Sequence, residues 1–315
     1  MDNWQLSTPV VLIIFNRPDP TAQVLAEIAK AKPPKLLVIA DGPRPNHPTD
    51  AERCAQTRAV IEQQVTWDCE VLTNYAETNL GCQRRVASGL DWVFETVPEA
   101  IIFEDDCVPH PTFFRFCDEL LAKYRDDERV MVISGDNFHF GKRFTEYSYF
   151  FSCFSHPTGW ASWRRAWQHF DAEMSLWPQV RSSGFLRNYF AKADQERYWA
   201  NIFQLIYESR DKRNDVWDAQ WMFACLLNSG LTIIPSVNLI TNIGFNIDAT
   251  HTVNKWSRFA NMDIVPVEFP LKHPPYVSRN ALADEYTHAI RFKSKTNLIP
   301  QSIKEIAKKF LVRWG

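Results

Sequence analysis

Three acids stand in a row in this chain, Glu104, Asp105 and Asp106, directly after the apolar run Ile101-Ile102-Phe103. Adjacent carboxylates repel one another unless a cation or a bound proton offsets their charge. A hard divalent ion, Mn2+ or Mg2+, is the natural partner, because it takes oxygen ligands and keeps positions open for water and phosphate. One or two protein carboxylates suffice where a diphosphate completes the shell. An isolated Glu-Asp-Asp is more commonly a solvated acidic loop. Here, however, Cys107-Val108-Pro109 returns to apolar character at once.

Asp218 is a second acid of interest, because it lies between Trp217 and Trp221. Apolar walls raise a carboxyl pKa toward the working range of a general base and exclude water. The same Asp also reads as a helix N-terminal acid satisfying exposed N–H groups, a role that Asp215 could fill instead. Arg17 follows the first apolar run; its guanidinium suits bidentate phosphate contact or a surface ion pair. Asp41, before Gly42, suits the role of a hydrogen-bond acceptor at a strand exit or ordinary turn chemistry. Arg84 and Arg85 follow Asn79-Leu80-Gly81, where a cation could face phosphate while its neighbour is solvated. The spacing does not choose between them.

Positioning these groups requires elements that end at one edge. Val10 to Phe15 reads as a buried strand, Thr21 to Lys30 as a helix stopped by Pro33-Pro34, and Lys35 to Ala40 as a second strand. Asp50 to Gln64 and Gly81 to Phe94 read as helices, Cys69 to Thr73 and Ala100 to Phe103 as strands. Phe113 to Tyr124 continues as helix and Val130 to Ser134 as strand. Further helices are expected over Ser162 to Phe170, Ser183 to Phe190 and Trp217 to Asn228, and a strand over Leu231 to Pro235. Repeated β-α alternation predicts an α/β, Rossmann-like, mainly parallel sheet flanked by helices, with ligands at the carboxyl ends of its strands. Asn16, Arg17, Asp41 and Glu104 to Asp106 all fall there.

Composition narrows the function classes. The chain has 315 residues, 45% hydrophobic and 23% charged, enough to bury a large core. Its 35 basic and 37 acidic residues give a net charge of -2, so no global field favours a nucleic acid partner. Seven scattered cysteines without paired C-x-x-C spacing read as reduced thiols. No basic leader precedes an apolar stretch, and no apolar run is long enough for a span, so a cytoplasmic location is expected. Twelve Trp and 22 Phe accompany only ten Gly. Trp160, Trp163, Trp167, Trp177 and Trp199 could stack on sugar rings, although most read as core.

The ordered set of motifs from about residue 9 to about residue 251 resembles the GT-A fold nucleotide-sugar glycosyltransferases, especially the N-acetylglucosaminyltransferase I type and related bacterial enzymes. The residues that carry it are Phe103 to Asp106, Pro111 with Phe113-Phe114, Ser134-Gly135-Asp136-Asn137, Gly159-Trp160 with Trp163-Arg164 and Trp167, and Trp217-Asp218 with Trp221-Met222. The resemblance implies that Asp106 holds the metal, that Asp105 contacts the donor sugar, and that Glu104 lies near the ribose or uridine. It puts Arg17 and Asp41 on the nucleotide and Gly159-Trp160 beside the acceptor, where Asp136 and Asn137 could orient a hydroxyl. A late histidine, His251, is implied at the metal or the diphosphate. Thr250-His251-Thr252 also reads as hydrogen-bonded loop structure, and imidazole suits Mn2+ better than Mg2+. The family pattern has two consecutive acids before its second Trp, whereas this chain has Asp218-Ala219-Gln220, which leaves Asp218 as the candidate base.

Residues 1–137 are then the nucleotide-sugar-binding half, with an aromatic-rich acceptor-binding and catalytic half of the same domain over 138–292. A basic amphipathic tail spans 293–315. The expected reaction moves a sugar from a nucleoside diphosphate, with UDP favoured, to a hydroxyl of a glycan or lipid-linked acceptor, with inversion carried over from the family. A sugar-nucleotide pyrophosphorylase would show a Gly-rich loop where this chain has Asn16-Arg17-Pro18-Asp19-Pro20. A non-catalytic glycan-binding protein would bind glycan but no nucleotide. The face formed by Ile303, Ile306, Phe310 and Trp314 could lay residues 302–314 on the inner surface of a membrane or dock on the chain itself.

Overall fold

The computed structural model describes residues 4–190, 192–210, 216–244 and 258–292. His251, expected at the metal, and the tail at 302–314 lie outside the described residues, as does Asp215.

Aliphatic runs buried on both faces form the central strands. Val10–Ile14 (β1) passes through helix Pro18–Ala31 (α1) to Lys35–Ala40 (β2). Helix Asp50–Gln64 (α2) leads to Glu70–Tyr75 (β3), and helix Cys82–Thr96 (α3) to Glu99–Glu104 (β4). Parallel neighbours cannot be joined by a tight turn, so each crossover takes a helix. Cys107–Pro109 (β5) follows at once, then helix Thr112–Lys123 (α4) and Val130–Ser134 (β6).

The second half begins with Tyr149–Ser152 (β7) and Trp160–Trp163 (β8). Four helices come next, Arg164–Trp167 (α5), Trp177–Ser183 (α6), Phe185–Tyr189 (α7) and Ala193–Ser209 (α8). Asp218–Leu227 (α9), Leu231–Pro235 (β9) and Ile240–Asn242 (β10) precede Ala281–Thr287 (α10), which runs into a π-helical turn at His288–Phe292.

Eight strands make one sheet in the order β3-β2-β1-β4-β8-β6-β9-β7, and β10 pairs with β5 in a separate ribbon. β8 runs antiparallel between β4 and β6, and β7 antiparallel on β9 at the edge; the other six share a direction. The expected α/β class with a mainly parallel, helix-flanked sheet is therefore found, and strands of both halves belong to it.

Alternate residues of β1 feed opposite faces, as the period of two requires. Val10, Leu12 and Ile14 join Phe103, Phe113 and Phe116 on one side, while Val11 and Ile13 join Ile102, Trp160 and Trp221 on the other. A third cluster, around Trp177, Trp199, Phe203 and Phe223, packs α6, α8 and α9 together. All seven cysteines are unpaired. Among the described residues no helix is long and apolar enough to cross a membrane.

Two departures from the sequence reading have physical causes. The helix expected over Ser162 to Phe170 is instead the end of β8 followed by the single turn α5. Ladder pairing to β4 on one side and β6 on the other outweighs the local helical pattern there. The long helix α8 was not among the expected helices, although its buried Tyr198, Trp199, Ile202, Phe203 and Ile206 keep helical spacing.

Candidate active site

Neighbouring strands deliver the acidic motif and Arg17 together. β4 ends at Glu104, which stands opposite Ile13 of β1, and the chain leaving β1 reaches Arg17 three residues past Ile14. Arg17 Nε donates to Asp105 Oδ2 at 3.2 Å, and its Nη2 bonds the other Asp105 oxygen and lies 3.0 Å from Asp106 Oδ2. One guanidinium thus bridges both aspartates. Burial works against its charge, but Asp105 and Asp106 more than offset that and hold Arg17 above its ordinary pKa. Three carboxylates face this single cation. Burial, followed by the charges of Asp106 and Asp105, pushes Glu104 up to about 8, and burial also raises Asp105 despite Arg17.

The ribbon of β5 and β10 shapes the other side of Asp106. Asn242 pairs with Cys107, which brings the following residues onto the acid. Ile243 N donates to the Asp106 main-chain oxygen at 2.9 Å, and Asn242 Nδ2 approaches Asp106 Oδ1 at 3.4 Å. A Cβ at Gly244 would stand 2.0 Å from Asp106 Oδ2, so the lack of a side chain there leaves the carboxylate its space. Sequence analysis did not single out Asn242 or Gly244. The glycine was the available signal.

Among the described residues, no group of three or more His, Cys, Asp or Glu side chains could by itself hold a metal ion. The hard donors present are the carboxylates of Asp105 and Asp106, and all of their oxygens are engaged: Arg17 covers Asp105 and reaches Asp106 Oδ2, Gly244 packs against that oxygen, and Asn242 Nδ2 approaches Oδ1. Two hard carboxylates are donors of the type a divalent ion takes, provided that Arg17 leaves them.

A cavity of about 390 Å³ adjoins Arg17, lined also by Pro18, Asp19, Pro20, Gln23, Arg53, Ile243 and Asn261. The first turn of α1 would ordinarily offer N–H groups to an anion, but prolines at 18 and 20 have none. The cations on this cavity are Arg17 and Arg53, and Asp19 lines it with them. Arg53, which sequence reasoning missed, is fixed by its Nε donating to the Asn16 carbonyl at 2.9 Å.

The other expected donor residues are less available. Asp41 Oδ1 accepts from Gly42 N and Leu80 N, and Oδ2 from Gly81 N and Asn79 Nδ2, at 2.8 to 3.1 Å. Its oxygens order the loop entering α3; burial raises its pKa and these bonds oppose the rise. Arg85 is buried and donates to the Asn74 carbonyl at 2.7 Å and side chain at 2.6 Å, and burial lowers its pKa. Arg84 is the exposed member of the pair.

Asp218 opens α9 with 8% of its surface exposed. Burial pushes its carboxyl up to about 7, against the N–H of Ala219, which donates to Oδ1 at 2.9 Å, and against the charge of Arg291. The capping role and a raised pKa therefore coexist. Trp217 stacks on Trp160 with ring centres 5.7 Å apart, and Trp160 lies 6.0 Å from Trp221. Asp218 also contributes to raising Glu104, so the two acidic sites lie within electrostatic reach of each other. Arg291 was not anticipated: the π-helical turn holds its guanidinium 3.8 Å above the Phe138 ring, and no motif joins it to Asp218 in sequence.

The residues expected on the acceptor side cluster where β6 meets β8. Asp136 accepts from Ser134 Oγ at 3.2 Å and pairs with His156 Nδ1 at 2.9 Å; its Oδ2 and His156 Nε2 are buried with no partner among the described residues. Asn137 is committed to the backbone, giving Nδ2 to Pro235 O at 2.6 Å and accepting from His139 N at 2.8 Å. Gly159, at φ 56°, accepts from Gly135 N at 2.8 Å, and a Cβ there would meet Ile240 at 2.6 Å. Trp160 is 1% exposed, with an indole N–H that has no partner among the described residues.

No family model matches the sequence, and no curated protein matches it. Among solved structures, the chain is similar to TarS 1–349 from S. aureus, with 11% identity and a TM-score of 0.40 over 73% of this chain and 58% of that one. It is similar to the mannosyltransferase PcManGT from Pyrobaculum calidifontis, solved in complex with GDP-Man and Mn2+, with 11% identity and a TM-score of 0.37 over 71% and 70%. A cytidylyltransferase from Leptospira borgpetersenii is similar at 8% identity and a TM-score of 0.30 over 53% and 64%. The chain spans less than two thirds of the length of TarS 1–349 and of the cytidylyltransferase.

Proposed function

We propose that this chain is a metal-dependent glycosyltransferase that moves a hexosyl or N-acetylhexosaminyl group from a nucleoside diphosphate, UDP by preference, to a hydroxyl of a glycan or lipid-linked acceptor. The observation that carries the proposal is the pairing of two unlike acidic sites within electrostatic reach. One is a strand-end cluster with excess negative charge beside a cavity edged by two arginines. The other is a single buried carboxyl, between Trp217 and Trp221 in sequence, that burial pushes up to about 7. Glycosyl transfer with inversion needs this division of labour: one site for the departing diphosphate, another to accept the incoming hydroxyl's proton.

In this reading Asp105 and Asp106 hold the divalent ion, which when bound neutralises charge on the diphosphate. Arg17 and Arg53 bind phosphate oxygens in the cavity. Asp218 takes the proton of the acceptor hydroxyl, while Trp217 and Trp221 limit competing water. Asp136 and Trp160 contribute to the acceptor side, and Asp41 and Arg85 support the donor side by ordering the loops at 74–81. The pyrophosphorylase alternative loses ground on backbone chemistry, because prolines at 18 and 20 remove N–H groups that a phosphate-cradling loop would use.

A thermal-shift panel of nucleotide sugars, with and without Mn2+, tests the proposal. A Mn2+-dependent rise for one nucleotide is expected, and Asp106→Asn should remove it while leaving the unliganded melting temperature within a few degrees. A flat profile for every nucleotide in the unmodified protein would count against a nucleotide-sugar enzyme.

A further inference from the structure

Arg17 belongs to two places at once. Its Nε and Nη2 occupy both Asp105 oxygens and approach Asp106 Oδ2, while the same side chain lines the cavity that it shares with Arg53. A divalent ion on Asp105 and Asp106 would claim the oxygens that the guanidinium now covers, and two cations cannot share them at contact distance without strong repulsion. The backbone at Arg17 is not free to move away. Its carbonyl accepts from Thr21 Oγ1 at 2.7 Å and Thr21 N at 3.2 Å, and Pro18 fixes the next residue. Any release must therefore come from the side-chain torsions, and the neighbouring open volume is the cavity beside Arg53.

We infer that Arg17 couples cation binding to diphosphate binding: it clamps Asp105 and Asp106 until a divalent ion displaces it, and it then turns its fork onto the phosphates in the cavity. This rests on the glycosyltransferase reading and adds to it a reason for the two ligands to bind together. Each ligand removes a cost from the other. The cation frees Arg17 for phosphate, and phosphate gives the freed guanidinium an acidic partner in place of the two carboxylates. Linkage requires the effect to be reciprocal, so the nucleotide must raise cation affinity by the factor that the cation raises nucleotide affinity. Direct ligation of the ion by a diphosphate also produces coupling, so the inference concerns the share that depends on Arg17.

Isothermal titration of Mn2+ alone, of UDP and GDP alone, and of Mn2+ at saturating nucleotide gives the coupling factor. In Arg17→Ala, Mn2+ alone should bind about tenfold to a hundredfold more tightly, the worth of releasing charge-assisted hydrogen bonds from the carboxylates. Nucleotide without metal should bind more weakly, and the coupling factor should fall by about tenfold or more. Arg17→Lys keeps a cation without the fork and should give an intermediate factor, which serves if the alanine variant does not fold. A coupling factor unchanged from the unmodified protein, in whichever variant folds, overturns the inference and leaves the proposed function standing. Failure of the unmodified protein to bind Mn2+ or either nucleotide overturns both.

Discussion

Asp218 and Glu104 are both raised carboxyls, but their surroundings assign them different work. Like charge from Asp105 and Asp106 adds to burial at Glu104, whereas Asp218 is raised by burial alone, with Arg291 pulling the other way. For Asp218 the folded chain holds the proton more tightly than the unfolded chain, since its pKa moves from 3.8 to about 7. Its contribution to stability is therefore fully present below about pH 4 and is lost as pH rises through about 7. Asp218→Asn should flatten that part of the stability profile and melt higher than the unmodified protein at about pH 8, by differential scanning calorimetry. Activity should run with the opposite sign, because a base must be ionised. The pH profile of kcat/KM should climb about tenfold per unit up to about 7 and then level. The variant should lose on the order of 10²- to 10⁴-fold in kcat. A variant retaining full turnover would remove Asp218 from the reaction. The residue types at Arg17, Asp106 and Asp218 were legible because each follows or precedes an apolar run. The roles of Arg53, Arg291 and His156 were not, since each depends on contacts between segments distant in the chain.

At the scale of elements, the segment carrying α10 and the π-helical turn is fastened to β7 by a buried ion pair. Asp284 is fully buried, accepts from Ser152 Oγ at 2.5 Å and Cys153 N at 3.2 Å, and pairs with Arg279 Nε at 2.8 Å. His139 Nε2 contacts Thr287 Oγ1 at 2.8 Å one helical turn further on. These contacts hold the π-helical turn so that Arg291 lies over Phe138. Removing Asp284 leaves the buried Ser152 hydroxyl and Cys153 N–H without their acceptor while the quarter-exposed Arg279 stays partly hydrated, so Asp284→Ala should cost about 2–3 kcal/mol in urea unfolding. A loss under about 1 kcal/mol would mean that the segment is held elsewhere. None of this fastening was visible in sequence, where β7 lay in an irregular aromatic stretch. By contrast, β2, α2, β6 and β9 lie where hydrophobic runs and their flanking polar residues put them. Those elements are specified by local pattern, while β7 and β8 are specified by strands far away in the chain.

For the whole molecule, one sheet brings an edge of acids beside a cavity lined by Arg17, Arg53 and Asp19, while α9 adds the buried carboxyl of Asp218 from the second half. The parallel β-α order was readable from the first 134 residues, because β1, β2 and β3 are each followed directly by a helix that leads to the next strand. The antiparallel insertion of β8 was not readable, and it is what sets Gly159 and Trp160 beside Gly135 at the end of β6. The account's central claim is that Asp106, in the space left by Gly244, is where a cation meets a diphosphate. Crystals grown with Mn2+ and UDP, with diffraction recorded at the manganese absorption edge, address it directly. The account predicts an anomalous peak within coordination distance of an Asp106 oxygen, about 2.2 Å, with the diphosphate on the Arg17 and Arg53 side. Bound nucleotide with no anomalous peak at Asp106, or with Arg17 still bridging Asp105 and Asp106, would contradict it.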